Sequence, residues 1–276
     1  MNSNLYRLST VCVCFLSLNA HALETDYSLS YAAAYSDNIR QAPDNEESEL
    51  IHTLGAGLNL SETNRRINSV LRLNLLYNIY SDDTFENDVV GTVDTNNTFY
   101  LIPGTLRWVL DDSLGYVIID NTGNNTPQNY QQVNYFSTGP IFTAGITSVD
   151  DIELESRYEN YYEEVTNGDS ERILYGLRWI HRFSPTSRLS TNYQFVESRF
   201  DDNVNNIDFD RHDAFMRYES GGRASQYFVE LGRTRVERVN QVETEGGRGS
   251  VGYTKQVTRS TTLSLTYRNE LSDTDD

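Results

Sequence analysis

The strongest constraint on the fold of this chain is an alternation of apolar and polar residues over long segments. In residues 152–164, IELESRYENYYEE, one set of alternate positions includes Ile152, Leu154 and Tyr158, and the other is mostly acidic. Successive side chains of a β-strand point to opposite faces, so a period of two predicts a strand with one apolar and one charged face. The same pattern recurs in residues 26–36, 67–80, 172–183 and 188–196.

The connections between these segments are of two alternating kinds. Long polar stretches rich in Asp and Asn fall at residues 37–48, 81–93, 120–133, 164–170, 201–208 and 239–246. Short turns fall at residues 61–66, 103–104, 147–150, 184–187, 220–224 and 258–261. Long strands joined alternately by short turns and longer loops predict an all-β fold, an antiparallel up-and-down transmembrane β-barrel. The short turns would lie at the periplasmic end and the acidic loops outside.

A soluble antiparallel sandwich shows the same alternation and is the alternative fold. Sandwich strands usually have about five or six residues, whereas these segments run to ten or more, which favours the barrel. A transmembrane strand needs about 9–11 residues. The alternative function is a soluble secreted protein that binds carbohydrate through its 19 tyrosines.

Residues 1–22 predict a secretory signal peptide, although a buried N-terminal strand or helix is the alternative. Arg7 precedes a short apolar run, and Ala20 and Ala22 form an Ala-x-Ala cleavage pattern. The predicted organisation is therefore a signal peptide followed by one outer-membrane barrel domain, residues 23–276.

Composition excludes several classes of partner and fold. The net charge of −18 repels nucleic acid, so no nucleic-acid partner is expected. Both cysteines, Cys12 and Cys14, lie in the signal segment, so the exported chain has no disulfide framework. No run of 18 apolar residues follows that segment, which excludes a transmembrane helix but not transmembrane strands. The expected surroundings are outer-membrane lipid and lipopolysaccharide.

The strand count does not close. Thirteen strands are counted, and the last, residues 262–271, runs outward, whereas bacterial single-chain barrels have an even number. A truncated barrel of fourteen or more strands is the favoured explanation. A missed strand in residues 106–120 is the alternative, because Asp111, Asp112 and Ser113 could form a turn.

Charged residues opposite the apolar face are expected to line the lumen. Two interpretations stay open: they select solutes by charge and width, or they form a paired ladder that fills a narrow barrel. The predicted lumen-lining residues are Arg72, Glu153, Glu155, Arg157, Glu159, Arg172, Arg178, Arg182, Arg211 and Arg217.

The sequence predicts no catalytic residues, no cofactor and no metal site. His212 with Asp210 is the one pair on a common strand face that could activate water, because the adjacent Asp213 points the other way. Residues 201–206 alternate oxygen ligands as a calcium loop does, but lack its glycine and glutamate, which favours a solvated loop.

Residues 107–140 carry the most distinctive pattern of the chain. Its features are Trp108 and Asp112 at a spacing of four, then Pro127 and Asn129, and then Gly139 followed by Pro140. With residues 36–61, they resemble a family of outer-membrane β-barrels associated with exopolysaccharide and PEP-CTERM (exosortase) gene clusters. The resemblance implies a non-enzymatic, porin-like or exopolysaccharide-export component of a Gram-negative cell envelope. It also implies polysaccharide and export machinery as partners, and supplies no catalytic residues.

Overall fold

The protein forms one antiparallel sheet of 13 strands in which each strand pairs with the next along the chain. The computed structural model describes residues 23–166, 168–201, 207–222 and 224–271. The strands are β1 Glu24–Ser36, β2 Glu49–Thr63, β3 Ile67–Tyr80, β4 Asp88–Ile102, β5 Leu106–Ile118, β6 Tyr130–Gly145, β7 Asp150–Glu163, β8 Ser170–Ser184, β9 Ser187–Phe200, β10 Phe209–Gly221, β11 Ser225–Arg238, β12 Thr244–Gln256 and β13 Thr262–Asn269.

Helical structure is almost absent from the described residues. A single 3-10 turn, Pro127–Asn129, lies in the loop between β5 and β6. Within these residues the structure has no helix with the length and apolar character that crossing a membrane requires. The predicted all-β, up-and-down antiparallel fold is confirmed, and the sandwich is wrong because the strands form one sheet rather than two.

Most predicted boundaries agree with the structure, and four expectations need correction. The predicted loops 120–133 and 239–246 are too long, because β6 begins at Tyr130 and β12 begins at Thr244. The predicted loop 81–93 is too long, because β4 begins at Asp88, where Val89 and Val90 pair with β3 despite the polar residues around them. The possible turn at 111–113 does not form. Instead, β5 continues through it, and Asp111 and Asp112 point to opposite faces of the sheet.

The two faces of the sheet differ in chemistry and in exposure. On one face, called the outer face here, large apolar side chains such as Leu154 (48% exposed) and Leu177 (47%) are open. On the other, called the inner face, polar residues such as Glu230 (5% exposed) and Asn192 (4%) are buried. Most of the buried polar residues lie on the inner face, and the exceptions are Ser69, Thr95, Asn97 and Asp112, which lie together on the outer face of β3 to β5. With no second layer packed on the sheet, curvature around the inner face accounts for the burial there. The inner face is therefore concave.

The two edge strands do not pair with each other in the described part of the chain. Thirteen alternating strands leave β1 and β13 running in the same direction. All the side chains of β13 and nearly all of those of β1 are exposed. Closure of the sheet by a further strand stays a prediction.

Candidate functional site: the charged inner face

The register of the strands gathers the charged residues on one surface. Residues directly opposite each other in an antiparallel pair lie on the same face. Glu153 of β7 lies opposite Arg178 of β8, which lies opposite Asn192 of β9. The same reasoning applies to every other pair of neighbouring strands. It places arginines and acidic residues on the inner face in nearly equal number.

A first network is centred on Glu153. Its Oε2 accepts a hydrogen bond from Arg107 Nη2 at 2.9 Å, and its Oε1 lies 3.2 Å from Arg178 Nη1. Arg178 Nε also donates to Asn192 Oδ1 at 2.7 Å. One carboxylate thus holds two guanidinium groups from β5 and β8, and the network spans four strand intervals.

A second network surrounds Arg157, further along β7. Its Nη1 lies 3.3 Å from Asp111 Oδ2 of β5 and 3.3 Å from Ser137 Oγ of β6. Its Nη2 lies 3.0 Å from Glu155 Oε1 on its own strand. Here again an ion pair joins β7 to β5 across β6, which a concave face favours.

A third network occupies β9 to β12 and starts at Asp213, whose side chain is 6% exposed. Arg211 Nε donates to Asp213 Oδ2 at 2.8 Å, and the Thr234 hydroxyl donates to Asp213 Oδ1. Arg248 Nη1 lies 3.6 Å from the same oxygen and its guanidinium lies over the Phe215 ring at 4.2 Å.

Glu230 and Glu219 extend this third network across the sheet. Glu230 binds Arg248 Nε at 2.8 Å and Arg217 Nη1 at 3.3 Å. Glu219 binds Arg217 Nε at 2.6 Å and Arg188 Nη2 at 2.5 Å. Charged side chains in this region are therefore mutually neutralised within the protein.

All ten predicted lumen residues lie on the inner face by register, and their role in a solute path stays a prediction. Arg72 pairs with Asp94 at 3.1 Å in an exposed position, and Arg182 pairs with Asp151. Glu159 lies opposite Arg172 in the register, and the Nε atom of Arg172 is buried without a hydrogen-bond partner in the described residues.

Sequence reasoning missed several members of the networks, which are Arg107, Asp111, Arg188, Asp213, Glu219, Glu230 and Arg248. Asp213 and Glu219 share the strand and the parity of the predicted Arg211 and Arg217, so the alternation itself could have found them. The other five lie on β5, β9, β11 and β12, where no lumen residue was predicted. Arg248 is different, because the glycines around it hide the alternation of β12.

The long loops at one end of the sheet form a fixed rim. Arg40, in the loop between β1 and β2, donates from Nη2 to Thr84 O at 2.7 Å and lies over Phe85 at 4.9 Å. Gln41 of the same loop exchanges hydrogen bonds with Asn125, in the loop between β5 and β6. The loop between β1 and β2 thus contacts both of the other loops.

Glu49 anchors the loop between β3 and β4 to this rim. Its carboxylate oxygens accept hydrogen bonds from the backbone N–H of Asp82 at 2.9 Å and of Thr84 at 3.1 Å. Burial raises the pKa of the Glu49 carboxyl, but these amide hydrogen bonds outweigh it and lower the pKa below its ordinary value.

The residues of the distinctive pattern in segment 107–140 stabilise a strand and a loop. Trp108 and Asp112 lie on the outer face of β5, where Trp108 Nε1 donates to Thr138 Oγ1 at 2.8 Å and Asp112 accepts from Asn134 at 2.9 Å. Asn129 closes its loop through two hydrogen bonds to the backbone of Asp120, both at 2.8 Å. In the same loop, Pro127 begins the 3-10 turn.

Gly139 and Pro140 mark an interruption in the pairing of β6 with β7. The register runs from Thr138 opposite Tyr158 to Ile141 opposite Glu155 and omits these two residues. Proline has no N–H to contribute to a ladder. A Cβ at residue 139 would lie 1.9 Å from the carbonyl oxygen of Ser156, so the close approach of the two backbones requires glycine.

The possible catalytic pair does not form a hydrogen-bonded unit in the structure. Asp210 lies 2.9 Å from Arg199 Nη1, and His212 Nδ1 lies 2.8 Å from the Tyr193 hydroxyl. Both residues are on the outer face. Within the described residues no cluster of three or more His, Cys, Asp or Glu side chains could hold a metal ion. Most of the calcium-like segment, residues 202–206, lies outside the described residues.

No family model matches this sequence, and no curated protein matches it either. Among solved structures the chain is similar to the crystal structure of Acinetobacter baumannii OccAB3, with 9% identity over 87% of this chain and 77% of that one. The TM-score is 0.27, so this likeness adds nothing to the fold described above.

Proposed function

We propose that this chain is an outer-membrane β-barrel protein whose charged inner face lines a path for a polar solute. The observation that carries the proposal is the inversion of the two faces. Leu154 and Leu177 are about half exposed, while Glu153 and Glu230 are buried. Water favours the opposite arrangement, since exposing apolar surface to it costs free energy. A lipid bilayer stabilises this arrangement, because its hydrocarbon contacts the exposed apolar side chains of the outer face.

The ion pairing of the inner face indicates the kind of solute. Because Glu153, Asp213 and Glu230 each hold two arginines, the wall is rich in hydrogen-bonding groups but close to electrically neutral. A neutral polar wall favours hydroxylated solutes over ions of either sign. This supports a saccharide as the solute, and with it the exopolysaccharide role implied by the family resemblance. Polysaccharide and export machinery are the proposed partners, and the role involves no chemical conversion.

The first test is location and closure. We expect the full chain to fractionate with outer membranes and to require detergent for extraction. A change in gel mobility on boiling would show a closed barrel, and its absence would show the incomplete barrel that 13 strands favour. Material that stays soluble without detergent would overturn the membrane assignment and favour the carbohydrate-binding alternative.

The second test is permeation. The full chain, reconstituted in lipid vesicles, is expected to let neutral oligosaccharides pass at rates that fall with their size. Chain that inserts but passes neither sugars nor ions would contradict the solute path. The paired charges would then be the filling of a narrow barrel.

A further inference from the structure

The apolar band of the outer face becomes shorter towards β11. On β8, four successive outer-face residues are apolar or aromatic, from Ile173 to Trp179. On β11, only Tyr227, Val229 and Leu231 are, and Arg233 follows. At about 3.4 Å per residue, the β11 band is about 14 Å long along the strand, and barrel strands tilt, so its height is smaller still, against the roughly 25 Å of a typical barrel. Arg233 therefore lies at a level where the outer face of a typical barrel contacts the hydrocarbon of the membrane.

Arg233 is exposed and has no ion pair or hydrogen-bond partner within the described residues. Its neighbour on the same face, Arg235, is already bound by Glu237 at 2.9 Å and Glu243 at 2.7 Å. The residues opposite Arg233 are Ala214 of β10 and Gly247 of β12. Neither has a side chain long enough to cover or neutralise it. Glu245 lies on the same face one residue pair further along β12, but forms no ion pair with Arg233 in the described part of the chain.

An unpaired arginine on a lipid-facing surface needs a partner. Arg or Lys at the midplane of a barrel wall costs about 2–4 kcal/mol, and this cost falls towards the interface. A guanidinium reduces it by extending to the headgroups, where a lipid phosphate offers a bidentate, charge-assisted partner. The short apolar band brings the headgroup region closer to Arg233, because the bilayer thins to match a short band.

We propose that Arg233 binds the phosphate group of an anionic lipid in the outer leaflet. The acyl chains of that lipid would lie along the apolar residues on the short-turn side of Arg233, namely Leu231 (66% exposed), Met216 (49%) and Val251 (49%). This inference rests on the proposed membrane location and adds a lipid class and a residue to it.

The test compares two lipids that differ only in the phosphate. Full chain purified in a neutral detergent is titrated with dioleoyl phosphatidic acid or with dioleoylglycerol, and bound lipid is counted by native mass spectrometry. We expect retention of phosphatidic acid but not of dioleoylglycerol. Arg233→Gln should weaken that retention about tenfold, the size of one charge-assisted interaction. A circular dichroism spectrum equal to that of the wild type verifies that the variant is folded.

The matched control is Arg72→Gln, which removes an exposed arginine from the inner face and should leave lipid retention unchanged. Equal retention of the two lipids, or wild-type retention by Arg233→Gln, would overturn the proposal. Full displacement of the lipid by millimolar inorganic phosphate would show a phosphate site and not a lipid site. A chain that is soluble and takes neither lipid would instead overturn the membrane assignment itself.

Discussion

Arg107 of β5 and Glu153 of β7 form an ion pair at 2.9 Å although a whole strand, β6, lies between them. Neighbouring strands are about 4.8 Å apart, so flat geometry would place these two backbones nearly 10 Å apart. Long side chains on a concave face close that distance. The pair therefore depends on the curvature of the sheet and on the opposite charges of its inner face.

We expect Glu153→Gln to destabilise the protein and change its ion selectivity. The substitution removes the one negative charge that neutralises both Arg107 and Arg178. Arg107 and Arg178 are 32% and 42% exposed, so solvent screens part of the loss, and we expect a cost of about 1 kcal/mol. Unfolding by urea in lipid vesicles measures this cost, and reversal potentials in planar bilayers should shift towards anions.

The control for this prediction is Asp94→Asn. Asp94 also neutralises an inner-face arginine, Arg72, but both side chains are 59% exposed. Exposed pairs contribute at most about 1 kcal/mol, so this variant should unfold close to wild type. Equal losses in the two variants would contradict a special role for the Glu153 network.

Leu177→Arg should be strongly destabilising if the outer face contacts lipid. Leu177 lies at the middle of β8 on that face and is 47% exposed. A cation at the bilayer midplane costs about 2–4 kcal/mol, measured as a lower urea midpoint in vesicles. Thr92→Arg, which adds the same cation to an exposed inner-face position of β4, should change stability little. A harmless Leu177→Arg would mean that the outer face is not in lipid.

Much of this architecture follows from residue alternation alone. The period of two in residues 67–80 predicts β3 to the residue, and the parity of Ile152 and Glu153 predicts which face each occupies. This succeeds because strand parity is a local property that a one-residue slip would reverse for every side chain.

The partners within the inner networks could not be predicted in the same way. The contact between Glu153 and Arg107 depends on the curvature of three strands. The contact between Arg40 and Phe85 depends on how two separate loops meet. Neither relation is encoded in any single segment. The start of β4 was missed for a related reason: Asp88 and Gly91 are typical of loops, but pairing with β3 extends the strand through them.

Acid should loosen the loop rim through Glu49. Its pKa is lowered, so its contribution to stability is present above the unfolded value of about 4.3 and is lost as pH falls through the lower folded value. Hydrogen-exchange protection of the Asp82 and Thr84 amides, corrected for intrinsic rates, should fall across that window. Glu49→Gln should show low protection already at pH 7.

The comparison for Glu49 is Glu47→Gln. Glu47 pairs with Arg40 at 2.8 Å, but its side chain is 50% exposed and does not accept from the Asp82 or Thr84 amide. That variant should keep the wild-type response of the two amides to pH. A wild-type response in Glu49→Gln would show that another group holds the loop.

Gly139→Ala should disturb the junction of β6 and β7. The added methyl carbon would lie 1.9 Å from the carbonyl oxygen of Ser156 and 2.8 Å from the Cα of Arg157, and backbone atoms cannot swing aside as a flexible side chain does. Forcing such an overlap costs about 1–3 kcal/mol, and it displaces the strand that carries Arg157. We therefore expect a lower urea midpoint together with altered conductance.

Gly115→Ala is the matched control on the inner face of β5, where a Cβ meets nothing within 4 Å. If both variants unfold at the same urea concentration, the close approach of the two backbones does not make glycine necessary at residue 139.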